Sequence, residues 1–361
     1  MKYRIDYSSS KPAYLQLYEQ IRGDITEKRI MYGEKLPSKR ICSEELGVSI
    51  ITVEHAYSLL ADEGYIISRE RSGYFVTYSE DAGFKNPAAY NNFSHVHNET
   101  VNNSFPFSVY AKTMRKVITD YAQDILAKSD NTGCDELKSA IVDYLSRSRG
   151  IDVEKDRIVI GSGAEYLYGI IIQMLGREHI YAAESPSYEK IEAVYRANGV
   201  RLELLPLGED GIDSNALNNS SASILHITPY RSFPSGITAS ASKRYEYLKW
   251  AKNDKFIIED DFESEFSVLS KPEETLFSMS KNDNVIYLNT FSKTIASGVR
   301  IGYMVLPKKL LKSFNEKVGF YSCSVPTFEQ LVIADVIRSG NFERHINRIR
   351  RKKRRRKGWP D

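Results

Sequence analysis

Apolar positions near the start of the chain recur at helical spacing. Four of them, three or four residues apart, would line one face of a first helix: Tyr14, Leu17, Ile21 and Ile25. Two shorter helical patterns follow, each preceded by a serine that can cap a helix, Ser38 and Ser49. Between them, Gly47 can adopt a positive φ in a tight turn. The pattern predicts a helix-turn-helix, with Ile41 and Leu46 facing inward.

The rest of the chain alternates between β-rich and helical patterns. Residues 65–68 (YIIS) and 74–78 (YFVTY) flank RERSG and predict a hairpin wing. From about residue 101, helical stretches alternate with seven β-rich runs: RIVIG, HIYAAE, RLELLPL, SILHIT, FIIEDD, NVIYLNT and RIGYMVL. Such alternation is typical of an α/β fold with a largely parallel sheet. Residues 79–100 lack periodicity, so we interpret 1–78 and 101–361 as domains joined by a linker.

Composition narrows the class of protein. Hydrophobic residues make up 42% and charged residues 27%, which is ordinary for a globular chain. There is no run of about 18 uncharged apolar residues and no secretory leader. The 3 cysteines and 6 histidines show neither disulfide nor metal-binding spacing. We therefore expect a cytoplasmic protein with no membrane span and no metal site.

Charge is concentrated near the end of the chain. Residues 344–357 carry ten basic side chains and no acidic one, whereas residues 1–78 contain eleven of each sign. Net charge therefore does not decide whether the chain binds nucleic acid. The arrangement of the charged residues decides it. The ending RKKRRRKGWPD also lacks the apolar periodicity that would pack a helix.

A lysine just after a β-rich run gives the strongest chemical pattern. An amine at Lys293, desolvated among small hydroxyl residues, can form a Schiff base with an aldehyde. Thr290 and Ser292 offer hydroxyl donors and Arg300 offers a fork of N–H donors, all suited to a phosphate. An aldehyde and a phosphate on one ligand describe pyridoxal 5′-phosphate.

Further segments extend this pattern. Gly163 and Ala164 come at the start of a predicted helix, where backbone N–H groups can cradle a phosphate. Together with the lysine segment NTFSKTIASGVRIGYMVLP, these segments resemble the fold-type I aminotransferases. The resemblance implies that Asp260 pairs with the protonated pyridine nitrogen and that Tyr188 stacks on the ring. The loop at 228–236 is similar to the one that carries an Asn-Pro-Thr-Gly turn in aminotransferases.

The first domain resembles the winged-helix domain of the GntR family in the segments LPSKR, ELGVSIITVEHAYSLLADEGYI and RSGYFV. That resemblance implies binding to double-stranded DNA, with the second helix of the motif in the major groove and the wing tip near the minor groove. The family often has arginine where this chain has Ile50 and Glu54, and Glu54 would repel phosphate. The implied DNA-contacting residues are Ser38, Arg40, Ser49, Ile50, Thr52, Arg71 and Gly73.

The combination of the two domains resembles the MocR/GabR-like regulators over residues from about 11 to 357. It implies a homodimeric transcriptional regulator and not an enzyme, in which an amino-compound effector displaces Lys293 from pyridoxal phosphate by transaldimination. The family usually has tyrosine at the position of Phe262, and a further small C-terminal domain. We therefore expect either a C-terminally truncated chain or a natural short form whose basic tail attracts phosphate.

Two other functions remain open from the sequence. One is a true aminotransferase carrying a DNA-binding appendage. The lack of a small domain argues against it, because catalysis needs a closed cleft that excludes water. The other is a DNA-binding protein whose aminotransferase-like domain is only a dimerisation scaffold, which Phe262 and the short C-terminus favour.

Overall fold

The computed structural model describes residues 3–70, 72–78, 105–252, 254–261, 263–267 and 273–356, with only the backbone of Arg356. The chain divides into two compact units, residues 1–98 and 99–361. The predicted linker, Arg71 and Phe262 lie outside the described residues.

The first unit is a winged helix-turn-helix, as predicted. Its elements are α1 (Ala13–Thr26), α2 (Lys39–Leu46), α3 (Ile50–Asp62), β1 (Ile66–Arg69) and β2 (Gly73–Val76). The two strands pair antiparallel, with Ile66 opposite Val76, and Lys35 forms a further bridge to Phe75. One apolar core joins all three helices to the hairpin, and Leu17, Val53 and Leu60 are among its fully buried members.

The helix boundaries in this unit follow from local capping. Ser38 Oγ accepts a hydrogen bond from the Ile41 backbone N–H at 3.2 Å, and Ser49 Oγ accepts one from Thr52 N–H at 3.1 Å. Gly47 ends α2 with a φ of 65°, which confirms the predicted turn. The inward orientation expected for Ile41 is wrong, since this side chain is 50% exposed. Cys42, the next residue along α2, is buried and lies on the inner face of the helix. Ile41 therefore lies outside that face.

The second unit alternates helices with strands. Its helices are α4 (Phe107–Tyr121), α5 (Asp135–Arg149), α6 (Ala164–Leu175), α7 (Glu189–Ala197), α8 (Ser214–Asn219), α9 (Ala241–Trp250), α10 (Leu276–Met279), α11 (Lys308–Lys317), α12 (Thr327–Arg338) and α13 (Asn341–Arg356). Its strands are β3 (Ile158–Gly161), β4 (Ile180–Ser185), β5 (Arg201–Gly208), β6 (Gly211–Ile212), β7 (Ile224–Ile227), β8 (Phe256–Asp260), β9 (Val285–Thr290) and β10 (Gly302–Val305).

These strands form one sheet in the order β3-β10-β9-β8-β7-β4-β5-β6. Strands β9, β8, β7, β4 and β5 pair parallel with one another in that order. Strand β10 runs antiparallel to β3 and β9, and β6 runs antiparallel to β5. All seven predicted β-rich runs form strands, so the mostly parallel α/β prediction is confirmed. The two-residue strand β6 was not predicted, because it is too short for a periodic pattern.

Helices cover both faces of this sheet. Ile286 and Leu288 of β9 belong to an apolar cluster that also contains residues of α6, α7 and α11. Tyr287, between them, belongs to a second cluster built with α5, α12 and α13. Because both faces are buried, the central strands are apolar along most of their length and do not alternate with polar residues.

The basic C-terminal segment departs from the sequence-based expectation. Helix α13 continues to Arg356, although the sequence from Arg351 onward lacks an apolar repeat. Its first half supplies the anchor, because Phe342, Ile346 and Ile349 are buried against the domain. Arg350 then donates a hydrogen bond from Nε to the Glu265 carbonyl oxygen at 2.6 Å.

A buried ion pair ties α5 to the sheet. Arg149 Nε lies 2.9 Å from Asp261 Oδ2, and Arg149 Nη2 donates to Asp261 Oδ1 at 3.0 Å. The two side chains are 7% and 0% exposed. Tyr287 also donates its hydroxyl to Asp261, which satisfies the carboxylate further. Loss of one partner would leave a buried charge without compensation.

We predict that Arg149→Met lowers the free energy of unfolding by about 3–5 kcal/mol, because it strands the Asp261 carboxylate. The matched control is Arg147→Met, which breaks an exposed pair with Glu343 and should cost less than about 1 kcal/mol. Urea denaturation followed by tryptophan fluorescence measures both. Equal losses in the two variants would contradict a structural role for the buried pair.

Candidate functional site

The candidate site lies at the carboxyl ends of the parallel strands. Ligands of open α/β sheets bind at this edge because the loops after neighbouring strands meet there. A cavity opens at this edge of the sheet. It is lined by seven of the residues predicted to bind a cofactor: Ala164, Tyr188, Asp260, Thr290, Ser292, Lys293 and Arg300. The structure thus brings together residues from four separate segments of the sequence.

The lysine lies on a turn that is anchored on both sides. Strand β9 ends at Thr290, and the backbone N–H of Phe291 donates to Ile301 O at 2.9 Å. Ser292 Oγ donates to Val299 O at 2.7 Å, and this hydrogen bond holds the two sides of the turn together. Lys293 lies within this turn and lines the cavity. It is exposed, so the desolvation expected for its amine is not seen in this structure.

Arg300, which lines the cavity, lies beside Gly163 at the start of α6. Gly163 caps α6 with a φ of 100°, and a Cβ added there would lie 2.7 Å from Arg300 Nη2. Only glycine therefore allows the guanidinium to approach the start of the helix so closely. The backbone N–H groups of the first helical turn and the Arg300 fork both favour a bound anion.

Glu165 balances the positive charge at this end. It accepts hydrogen bonds from Arg300 Nη2 at 2.5 Å and from Lys190 Nζ at 3.0 Å. Burial alone would raise the pKa of Glu165, but the bonds from Lys190, its own backbone N–H and Arg300 outweigh burial and lower it. The carboxylate is thus ionised at neutral pH and accepts from the Nη2 group of Arg300.

Asp260 lies at the end of β8, is buried and lines the cavity. The hydroxyl of Tyr168 donates to its Oδ2. His226 Nε2 lies 3.7 Å from the same oxygen, and His226 Nδ1 is 2.8 Å from the hydroxyl of Tyr195. None of these three neighbours was predicted from the sequence. A histidine in the otherwise apolar strand Ile224–Ile227 was the one sequence feature that could have indicated His226.

Two further buried polar residues at the cavity wall were also missed. Asn289 Nδ2 donates to Glu265 Oε1 at 2.6 Å, and both side chains line the cavity. Burial raises the pKa of Glu265 to about 7, and the negative charge of Asp261 acts in the same direction. Nothing in the sequence around Glu265 distinguished it from the other acids of FIIEDDFESEF.

The loop that follows β7 is fixed by a buried acid. Thr228 and Ser232 each donate a hydroxyl hydrogen bond to Glu184, the latter at 2.6 Å. Burial raises the pKa of Glu184. The ring of Phe233 in this loop meets Tyr188 edge to face, with 6.3 Å between ring centroids. The loop thereby contacts Tyr188, the residue predicted to stack on the ring.

In the first unit, the predicted DNA-contacting residues lie at the first turns of α2 and α3 and on the hairpin. Arg40 is exposed and donates from Nε to Glu44 at 3.0 Å, while Gly73 begins β2 with a φ of 109°. Glu54, expected to repel phosphate, is paired with Lys39 at 2.5 Å, and this pairing offsets its charge. Arg71 lies outside the described residues.

The described residues hold no cluster of three or more His, Cys, Asp or Glu side chains suited to a metal ion. None of the helices described for this chain has the length and apolar character needed to cross a lipid bilayer.

Family models match both units. Residues 13–76 match "Bacterial regulatory proteins, gntR family", and residues 97–357 match "Aminotransferase class I and II". The chain is 34% identical to the uncharacterized HTH-type transcriptional regulator YdeL of Bacillus subtilis (strain 168), over 95% of this chain and 78% of YdeL. It is 28% identical to the probable rhizopine catabolism regulatory protein MocR of Rhizobium meliloti, over 96% and 76%.

The chain belongs to the MocR/GabR-type transcriptional regulators. A further relative is the pyridoxine biosynthesis transcriptional regulator PdxR of Corynebacterium glutamicum, at 28% identity over 93% of this chain and 75% of PdxR. Since these relatives are named as regulators, the regulator is not assigned as an enzyme, in agreement with the sequence-based expectation.

Solved structures similar to the second unit are aminotransferases. The regulator matches the kynurenine aminotransferase of Pyrococcus horikoshii in complex with PMP, with a TM-score of 0.62 and 25% identity, over 68% of this chain and 64% of that one. It matches an archaeal alanine:glyoxylate aminotransferase with a TM-score of 0.61 and 22% identity, over 67% and 62%. The regulator thus spans less than two thirds of either aminotransferase, and the likeness establishes the fold-type I architecture.

We predict a pH-dependent effect of Glu265→Gln. The raised pKa means that the folded protein retains a proton that the unfolded chain releases between pH 4.5 and about 7, so the contribution of Glu265 to stability falls as pH rises through this window. The variant lacks this loss and should gain stability relative to the wild type across the window, by up to about 3 kcal/mol, with no further gain above it.

Urea denaturation at pH values below, within and above the window measures this difference. Glu316→Gln, on the exposed face of α11, serves as the control and should show no such trend. A difference between wild type and Glu265→Gln that stays constant with pH would contradict the raised pKa.

Proposed function

We propose that this regulator binds pyridoxal 5′-phosphate at Lys293 and senses an amino compound that replaces Lys293 on the cofactor by transaldimination. The observation that carries the proposal is the meeting of Lys293, Asp260 and Arg300 around one cavity. When bound, the cofactor would supply an aldehyde that forms a reversible covalent bond to an amine. We further propose that the regulator acts as a cytoplasmic homodimer on double-stranded DNA.

The residues of the cavity fit this cofactor at both ends. Arg300, the first turn of α6 and the hydroxyl of Thr290 would hold its phosphate, and the close approach of Arg300 to Gly163 supports such an anion site. Asp260 would face the pyridine nitrogen. Its carboxylate is buried, accepts a hydrogen bond from Tyr168 and lies next to His226. Tyr188 would pack against the ring from the α7 side.

Two residues after Lys293, the chain contacts the first described residue of the second unit. The backbone N–H of Phe105, the first described residue of the second unit, donates to Ile295 O at 3.1 Å. Both side chains are buried in the same apolar cluster. A change in the turn that carries Lys293 would therefore act on Phe105. An effector that favours one arrangement of this turn would shift the population toward it.

In the first unit, we propose that Arg40, Ser38, Ser49, Ile50, Thr52, Arg71 and Gly73 form the DNA-contacting surface. The capped first turn of α3 is the part of a helix-turn-helix that enters the major groove. The exposed guanidinium of Arg40, just inside α2, is suited to a phosphate or a guanine edge.

We predict that pyridoxal phosphate, after reduction with borohydride, is found on Lys293 by peptide mass spectrometry. Lys293→Ala should lose this modification, because the other groups of the cavity cannot form a covalent bond to the aldehyde. Lys309→Ala is the control, since Lys309 packs on Phe256 at the other end of β8 and should leave the modification intact. Modification spread equally over several lysines, and unchanged in Lys293→Ala, would contradict the proposed site.

We predict that Arg40→Ala weakens binding to operator DNA by about 1–3 kcal/mol, because a phosphate or base contact is lost. The control is Arg29→Ala, an exposed arginine of the same unit that pairs with Asp24 outside the helix-turn-helix. Fluorescence anisotropy with labelled duplex at fixed salt measures both. Wild-type affinity in Arg40→Ala would remove this residue from the interface.

A further inference from the structure

The first turn of α3 exposes two adjacent aliphatic side chains. Ile50 is 48% exposed and Ile51 is 63% exposed. The helix instead packs into the core of its unit through Val53, Ala56 and Leu60. The two isoleucines therefore contribute little burial to the fold, and they lie at the end of the helix that a helix-turn-helix presents to base edges.

The polar groups beside them are already used within the unit. Ser49 Oγ caps the helix by accepting from Thr52 N–H, and it also lies 2.9 Å from Thr52 Oγ1. Glu54, one turn after Ile50, is paired with Lys39. The exposed apolar groups at the start of α3 are thus Ile50 and Ile51, beside the hydroxyls of Ser49 and Thr52.

We propose that Ile50 and Ile51 recognise the 5-methyl group of thymine in the major groove. Thymine presents a methyl group there, whereas guanine and adenine present hydrogen-bonding edges and cytosine presents an amino group. An aliphatic pair gains from contact with this methyl group, which thymine alone among the four bases presents, and it offers no hydrogen bond to the polar edges that all four bases carry. This inference rests on the proposed DNA-binding role of α3 and adds the base that α3 selects.

Selection of duplexes from a random pool by the full-length chain tests this first, because it yields the preferred sequence even though the operator is not identified. Each thymine of that sequence is then replaced by deoxyuridine, which removes only the methyl group. We expect one or more positions at which the affinity of the wild type falls about fourfold, as for the loss of one buried methyl group.

The double variant Ile50→Ala/Ile51→Ala completes the cycle. It should bind the thymine and deoxyuridine duplexes equally at those positions, since the side chains that contact the methyl group are gone. Ile67→Ala is the matched control, an isoleucine with 47% exposure on β1, and it should retain the full deoxyuridine penalty. Circular dichroism verifies that each variant is folded, which is expected because all three side chains are exposed.

The outcomes distinguish thymine recognition by Ile50 and Ile51 from the underlying DNA-binding role of α3. A deoxyuridine penalty that persists in the double variant, or a preferred sequence in which no thymine methyl matters, overturns thymine recognition by Ile50 and Ile51 while DNA binding stands. A selection that enriches no sequence at all overturns the DNA-binding role and this inference together.

Discussion

The parallel pairing of the central strands is the constraint on which the candidate site depends. Because β9, β8, β7 and β4 run in the same direction, the residues that follow them meet at one edge of the sheet. An amine from one loop, a carboxylate from the next strand and a guanidinium before β10 thereby surround one cavity. Asp260 lies far from Lys293 and Arg300 in the sequence, so the sheet brings all three groups into reach of a single ligand.

Buried acidic groups next to the cavity hold the strand ends in place through their partners, but burying them costs free energy. Asp261 next to the site is paired with Arg149 and accepts a hydrogen bond from Tyr287, while Glu259 accepts from Tyr230 and two backbone N–H groups. Burial raises the pKa of Glu259 to about 7. These hydrogen bonds and the ion pair hold the strand ends in place. They therefore also hold the residues that would contact the ligand.

Much of this architecture was predictable from local patterns. The seven β-rich runs are recognisable in the sequence, and Ser38, Ser49 and Gly47 carry capping and turn preferences that operate within a few residues. Ile41 and α13 were mispredicted because tertiary packing decides which face of a short helix is buried and how far an anchored helix continues. Tyr168, His226 and Asn289 were missed because their importance lies in contacts with Asp260 and Glu265, which only the folded sheet creates.

The central claim is that Lys293, Asp260 and Arg300 surround one cofactor molecule. The most direct test is a crystal structure of the regulator grown with pyridoxal phosphate. We expect electron density continuous with Lys293 Nζ, a ring nitrogen against Asp260 and a phosphate between Arg300 and the first turn of α6. A cofactor bound elsewhere, or a cavity in which these three side chains contact no common ligand, would contradict the claim.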